Sequence, residues 1–199
     1  MNNSFKLKIT VLSDYSSFKN NIYSIFSLLP VGGVLATNIN SIYEIGNLVS
    51  EKKTDLIILN KASYSDEEII YLLNLDFKHI SCIALIDSYF KYDVLFNNFD
   101  KGFITIRRPI SINKLLEVLK IVLFANIKKQ KSVDDIKSIR TIEMAKLFLV
   151  VYENMYEEES HKYIGSNAMN NRTTIYEESL KIIKKYLLEK EAIIYEYKN

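Results

Sequence analysis

The sequence predicts an α/β domain on a five-stranded parallel, doubly wound sheet, followed by a long helix and a three-helix all-α domain. Three observations carry that expectation. From residue 6 to about residue 130, short runs rich in Ile and Val alternate with longer segments of helical period. The short runs are apolar on successive residues, as strands buried on both faces of a parallel sheet are. Beyond Ser111 the strand patterns vanish and only helical spacing continues.

In order, the predicted strands are KITVL (8–12), GVLAT (33–37), DLIIL (55–59), ISCIALI (80–86) and GFITI (102–106). Phe18, Ile22, Ile25, Phe26 and Leu29 share one face at helical spacing and place a helix after the first strand. Ile42, Ile45, Leu48 and Val49 place the second, Ile69, Ile70, Leu72 and Leu73 the third, and a weaker pattern at 89–96 the fourth. Ile112, Leu115, Leu116, Leu119, Val122 and Leu123 mark the fifth. Apolar spacing resumes through Ile136, Ile139, Ile142, Ala145 and Leu149, either as one long helix with the fifth or separated from it near NIKKQKSVDD. In the second case Ser132 is the N-cap, with Asp134 and Asp135 in the first turn. Two more helices are expected at about 156–168 and 173–188, the first opened by Glu157, Glu158 and Glu159, which complement the helix dipole. The domains are expected at 1–128 and 129–199.

The hydrophobic fraction of 48% and charged fraction of 25% are those of a folded globular protein. The single cysteine, Cys82, excludes an intramolecular disulfide and a cysteine-rich zinc site, and reads as a small buried hydrophobe. The first residues lack the pattern of a signal peptide, and no apolar run approaches the roughly 20 residues of a membrane helix. A cytoplasmic protein without membrane contact is expected. A net charge of +2 by itself indicates neither nucleic acid nor membrane.

In a doubly wound sheet, function gathers at the carboxyl ends of the strands near the reversal of strand order. Those ends are Ser13 and Asp14, Asn60, Ile86 and Asp87, and Arg108. The alternation, its length and Arg108-Pro109 after the fifth strand make residues 6–128 resemble the receiver domain of two-component response regulators. That resemblance implies acids after strand one for Mg²⁺, a phosphoryl-accepting Asp after strand three, Thr or Ser after strand four, and Lys before a Pro after strand five. Here the corresponding residues are Ser13 and Asp14, Asn60, Ile86 and Arg108. An amide has no anionic oxygen to attack phosphorus, and Ile86 cannot hydrogen-bond a phosphoryl group. The expectation is a pseudo-receiver: a degenerate phosphoacceptor pocket with no catalytic residue, no metal and no cofactor. A register slip at strand four would bring Asp87 or Ser88 into the pocket. None supplies an acid at the end of strand three, because Asp55 stands at its start.

Residues 139–187 resemble the ANTAR domain, a three-helix RNA-binding module of antitermination regulators. The matching positions are Ile142-Glu143, Ala145-Lys146, the acidic run ending in Ser160, Ala168-Met169, Arg172, Ile175 and Ser179. The chain departs from the family at Leu147 and Val150, where Gly and Met are usual, and at Ser160 and Ser179, where Ala is usual. The resemblance implies binding to paired hairpins of a nascent leader mRNA, which keeps a terminator from forming. Lys146 and Arg172 would meet phosphates, and Ser166, Asn167, Asn170, Asn171 and Thr173 would meet unpaired bases. Simpler roles stand beside these: core packing for Ala168 and Met169, and helix capping for Asn170 and Asn171.

Charge is an objection to RNA, since residues 131–199 carry 11 basic and 12 acidic side chains. The stretch 101–131, with eight basic residues against Glu117 alone, is the most basic region. The fifth helix has more apolar positions than one sheet face needs, and related regulators pair there, so a homodimer through this helix and its extension is expected. The input in place of phosphate is left open among a regulatory protein, a small ligand and RNA-driven dimerisation. Alternative outputs are a DNA-binding response regulator, for which no clear helix-turn-helix is present, and a protein-binding signalling adaptor.

Overall fold

The computed structural model describes residues 6–77, 80–87, 102–127 and 133–196; at 124–127, 133–137 and 187–196 it describes the backbone alone. The chain divides into two compact units, Met1–Leu116 and Glu117–Asn199. The division falls inside a continuous helix, earlier than the boundary expected at 128, because apolar spacing does not mark where a helix passes from one unit to the next.

The first unit is a five-stranded, all-parallel sheet in the order β2-β1-β3-β4-β5. Its strands are β1 (Leu7–Ser13), β2 (Val34–Asn38), β3 (Leu56–Asn60), β4 (Ser81–Ile86) and β5 (Phe103–Arg107). This is the doubly wound, flavodoxin-like arrangement, with its switch point between β1 and β3. All residues of the inner strands β3 and β4 are buried, which accounts for their unbroken apolar runs, whereas the edge strand β2 is partly exposed. The helices are α1 (Ser16–Phe26), α2 (Ile45–Ser50, entered through a 3₁₀ turn at Ile42–Glu44), α3 (Asp66–Asn74) and the start of α4 (Ile112–Ile127). The helix expected at 89–96, like Ser88, lies outside the described residues.

Local sequence sets the helix starts. Ser65 caps α3 by accepting from Glu68 N, and the Glu68 carboxylate in turn accepts from Ser65 N at 3.0 Å. Ser41 and Glu44 repeat the device ahead of α2. One sheet face packs Ile57, Leu59, Cys82, Ala84 and Ile86 against Ile45, Ile69 and Leu72. Each fully buried Ile or Leu contributes about 1.5–3 kcal/mol.

The second unit contains α5 (Val133–Tyr152), α6 (Glu157–Asn171) and α7 (Ile175–Glu196), with α5 packed along both others. Ser132, the expected N-cap of α5, lies outside the described residues. Small buried residues, Ala145, Ser160, Ala168 and Ser179, permit the close approach of these helices. The two hydroxyls are satisfied within their own helices: Ser160 Oγ donates to Glu157 O and Ser179 Oγ to Ile175 O, both at 2.7 Å. Rings of Phe148, Tyr152 and Tyr186 pack together with centroids 5.5–5.8 Å apart, Tyr152 and Tyr186 stacked and Phe148 tilted against both.

The surplus of apolar positions on α4 has an explanation other than a dimer seam. Leu115, Val118, Leu119, Ile121, Val122 and Leu123 are all buried within the single chain. Among the described residues, no helix is long and apolar enough to cross a membrane.

Candidate functional site

In the first unit, parallel pairing brings Ser13 opposite Asn60, Asn60 opposite Leu85 and Ile86 opposite Arg107, so the strand ends converge. Asn60 is buried, and its side-chain oxygen accepts from Arg108 Nη1 at 3.0 Å. Arg108 Nη2 donates to Lys61 O at 2.9 Å and pairs with Asp87 Oδ1 at 3.0 Å. The guanidinium lies 5.2 Å from the centroid of the Tyr15 ring, a cation–π contact. It therefore occupies the centre of the strand-end cluster.

The remaining residues fit a metal or phosphoryl site poorly. Asp14 accepts from Ala62 N at 2.9 Å, which ties it to the loop after β3. Ser13 Oγ accepts from Tyr15 N and donates to Tyr15 O, so it caps its own turn. A divalent cation needs free oxygen ligands, but the Asn60 oxygen already serves a guanidinium whose charge repels such an ion. Lys61 is held by Glu68 and sits 5.7 Å from the Tyr64 ring centroid. Burial pushes the Tyr64 hydroxyl far above its usual range, so it stays protonated.

One expected position needs correction. Ile86 does not line the pocket: strand alternation turns it to the opposite face, into the core. Its neighbours Leu85 and Asp87 line the pocket instead, beside Asn60 and Arg108. The alternative register that brought in Asp87 describes the site better. Tyr15 is not signalled by the sequence, because an aromatic residue next to a strand end carries no signal of its own until the fold sets it against an arginine.

In the second unit Lys146 is corrected too. It is buried at 4% exposure, and its ammonium pairs with Glu143 at 2.7 Å and with Glu157. It is a cross-link of the bundle and is not placed to meet a phosphate. The Glu143 spacing, three residues back on the same helix face, was the available signal. Glu157, which would be only a dipole-matching helix start, is its second partner.

The corner between α6 and α7 gathers most of the other residues. Helix α6 ends at Arg172, whose φ of 53° is left-handed. Thr173 N donates to Ala168 O at 2.9 Å, closing the turn. Asn171 Nδ2 and Thr173 Oγ1 both donate to Glu178 Oε2, at 3.2 and 3.3 Å. Burial works against the charge on Glu178, yet Lys181, Asn171 and Thr173 together hold its carboxyl below the usual range. Thr174 caps α7, and the bonds from its amide and hydroxyl lower the Glu177 carboxyl. Asn171 and Thr173 therefore organise the corner. Ser166, Asn170 and Arg172 are exposed and Asn167 is half-buried. Ala168 is core, but Met169 is 81% exposed.

No family model matches the chain, and no curated protein does. Among solved structures, the signal receiver domain of an HD domain-containing protein from Pseudomonas fluorescens Pf-5 is 12% identical. That alignment covers 65% of this chain and 98% of that one, with a TM-score of 0.47. The response regulator ChrA of a heme-sensing two-component system is 9% identical over 92% of this chain and 98% of its own, with a TM-score of 0.38. A structure of RcsB dimers bound to DNA is 14% identical over 90% and 99%, with a TM-score of 0.42. These are similarities of fold. The fold class of this chain rests on its own strand order.

Proposed function

We propose that the protein is a non-enzymatic, RNA-binding transcription antitermination regulator whose receiver-like unit is not controlled by aspartyl phosphorylation. The observation that carries the reading is the end of α6. An arginine stands at the left-handed position where glycine is the default, and it is exposed together with Met169 and Asn170. Left-handed backbone disfavours a non-glycine residue, so the arginine side chain supplies something the turn itself does not require. A cation, an amide carrying both donor and acceptor, and an exposed thioether suit a phosphate and unstacked loop bases. The likeness of residues 139–187 to the ANTAR domain supports the same reading. The degenerate pocket supports the independence from phosphate, since Asn60 has no nucleophilic oxygen and Arg108 fills the centre of the site.

A homodimer through α4 and its extension belongs to this proposal; the side chains of 124–137 that would form such a seam lie outside the described residues. A gel shift with a leader RNA carrying two hairpins, against duplex DNA of the same sequence, tests the output. The expected result is a shift with RNA that is weakened by Arg172→Ala. A shift with DNA and none with RNA would overturn the reading.

A further inference from the structure

A cleft of about 630 Å³ opens in the first unit at the carboxyl ends of the strands. Its volume lies in the range of small-molecule sites, and its place is the crevice by the switch point where doubly wound sheets bind ligands. The wall is mostly apolar: Phe18, Ile22 and Ile25 come from α1, beside the polar Ser17 and Asn21, and Leu115 from α4. One end is polar, formed by Asn60, Asp87 and Arg108.

The polar end has an asymmetry that selects a ligand class. Two partners of the guanidinium, the Asn60 and Lys61 oxygens, are neutral and fixed by the strand end. Its one charged partner, Asp87, is on the rim, with a side chain 55% exposed against 16% for Arg108. The Tyr15 ring holds the plane of the fork, and Arg108 Nε is buried without an acceptor among the described residues. A carboxylate entering the cleft can displace the half-solvated Asp87 and use the preset fork in a bidentate bond.

We propose that this cleft binds a small aryl or alkyl carboxylate, its apolar body against Phe18, Ile22, Ile25 and Leu115 and its carboxylate on Arg108 in place of Asp87. The site is independent of whether the helical unit binds RNA, and its test is binding itself.

Calorimetry on the full chain with naphthalene-1-acetate and decanoate, each beside its neutral alcohol, provides the test. Saturable one-to-one binding of at least one acid is expected, roughly tenfold or more tighter than its alcohol. Arg108→Met should abolish that preference. Asn21→Trp fills the cleft from an exposed position on α1 and should abolish binding without lowering the melting temperature. Absence of saturable binding by either acid at millimolar concentration would overturn the proposal. Equal binding of acid and alcohol, or binding that survives Asn21→Trp in a folded protein, would overturn it as well.

Discussion

Arg108 donates from Nη1 to the side-chain oxygen of Asn60 at 3.0 Å. The centre of the strand-end cluster is thereby filled by a permanent cation on a neutral acceptor. Restoring a carboxylate there creates an ion pair with Arg108 and not a free nucleophile. Asn60→Asp is therefore expected to take up no phosphoryl group from acetyl phosphate and Mg²⁺, as intact-mass spectrometry would read it. A gain of one phosphoryl mass on that variant would show that Arg108 yields the site.

Gly102 has φ of +87°, and a Cβ there would meet Phe77 O at 2.6 Å and Ile80 O at 2.7 Å. Both contacts are with backbone, which cannot rotate away. Left-handed strain alone costs about 1–3 kcal/mol, and the clash adds to it. Gly102→Ala is expected to lower the urea midpoint strongly, with the m-value unchanged.

Lys146 bridges Glu143 and Glu157 in the second unit. Lys146→Met removes the ammonium that both carboxylates share, and breaking this buried pair should lower the melting temperature. Glu143→Gln in the same chain should recover part of that loss in thermal unfolding. Any loss of RNA binding in Lys146→Met should track the unfolded fraction.

Arg172 separates stability from function. Arg172→Gly relieves the left-handed backbone, so the melting temperature should rise, the equivalent of about 1 kcal/mol. The same change removes an exposed cation, and RNA affinity should fall. A parallel fall in both would make Arg172 a structural residue only.

Glu178 carries a pH dependence whose sign follows from its environment. Burial raises its pKa, but Lys181, Asn171 and Thr173 outweigh that and keep it below the reference of 4.5. Its stabilisation is full above the unfolded pKa and is lost as pH falls through the folded one. The melting-temperature gap between wild type and Glu178→Gln should be widest near neutrality and should shrink as pH falls below the reference of 4.5.

The strands and most helices were legible because burial on both faces writes itself as unbroken apolar runs, as in LIILN at β3. The edge strand was legible from GVLAT despite its exposure, since the β-branched Val34 and Thr37 still mark it. The site was legible only in its inventory. Asn60, Arg108 and Asp14 were found as strand ends, but the pleat decides which strand-end side chains meet, and it moved Ile86 out and Asp87 in. Lys146 looked like a surface cation because a lysine on a helix usually is one. Its burial depends on Glu157, which belongs to another helix and shows no periodic link to it.

The central claim is that this chain carries transcription past a terminator without phosphate as its switch. Single-round transcription in vitro, on a template carrying its leader and terminator, tests that most directly. Read-through should rise with added protein, remain unchanged when acetyl phosphate and Mg²⁺ are present, and be lost with Arg172→Ala. Read-through that does not respond to the protein, or that responds only after phosphorylation, would contradict the account.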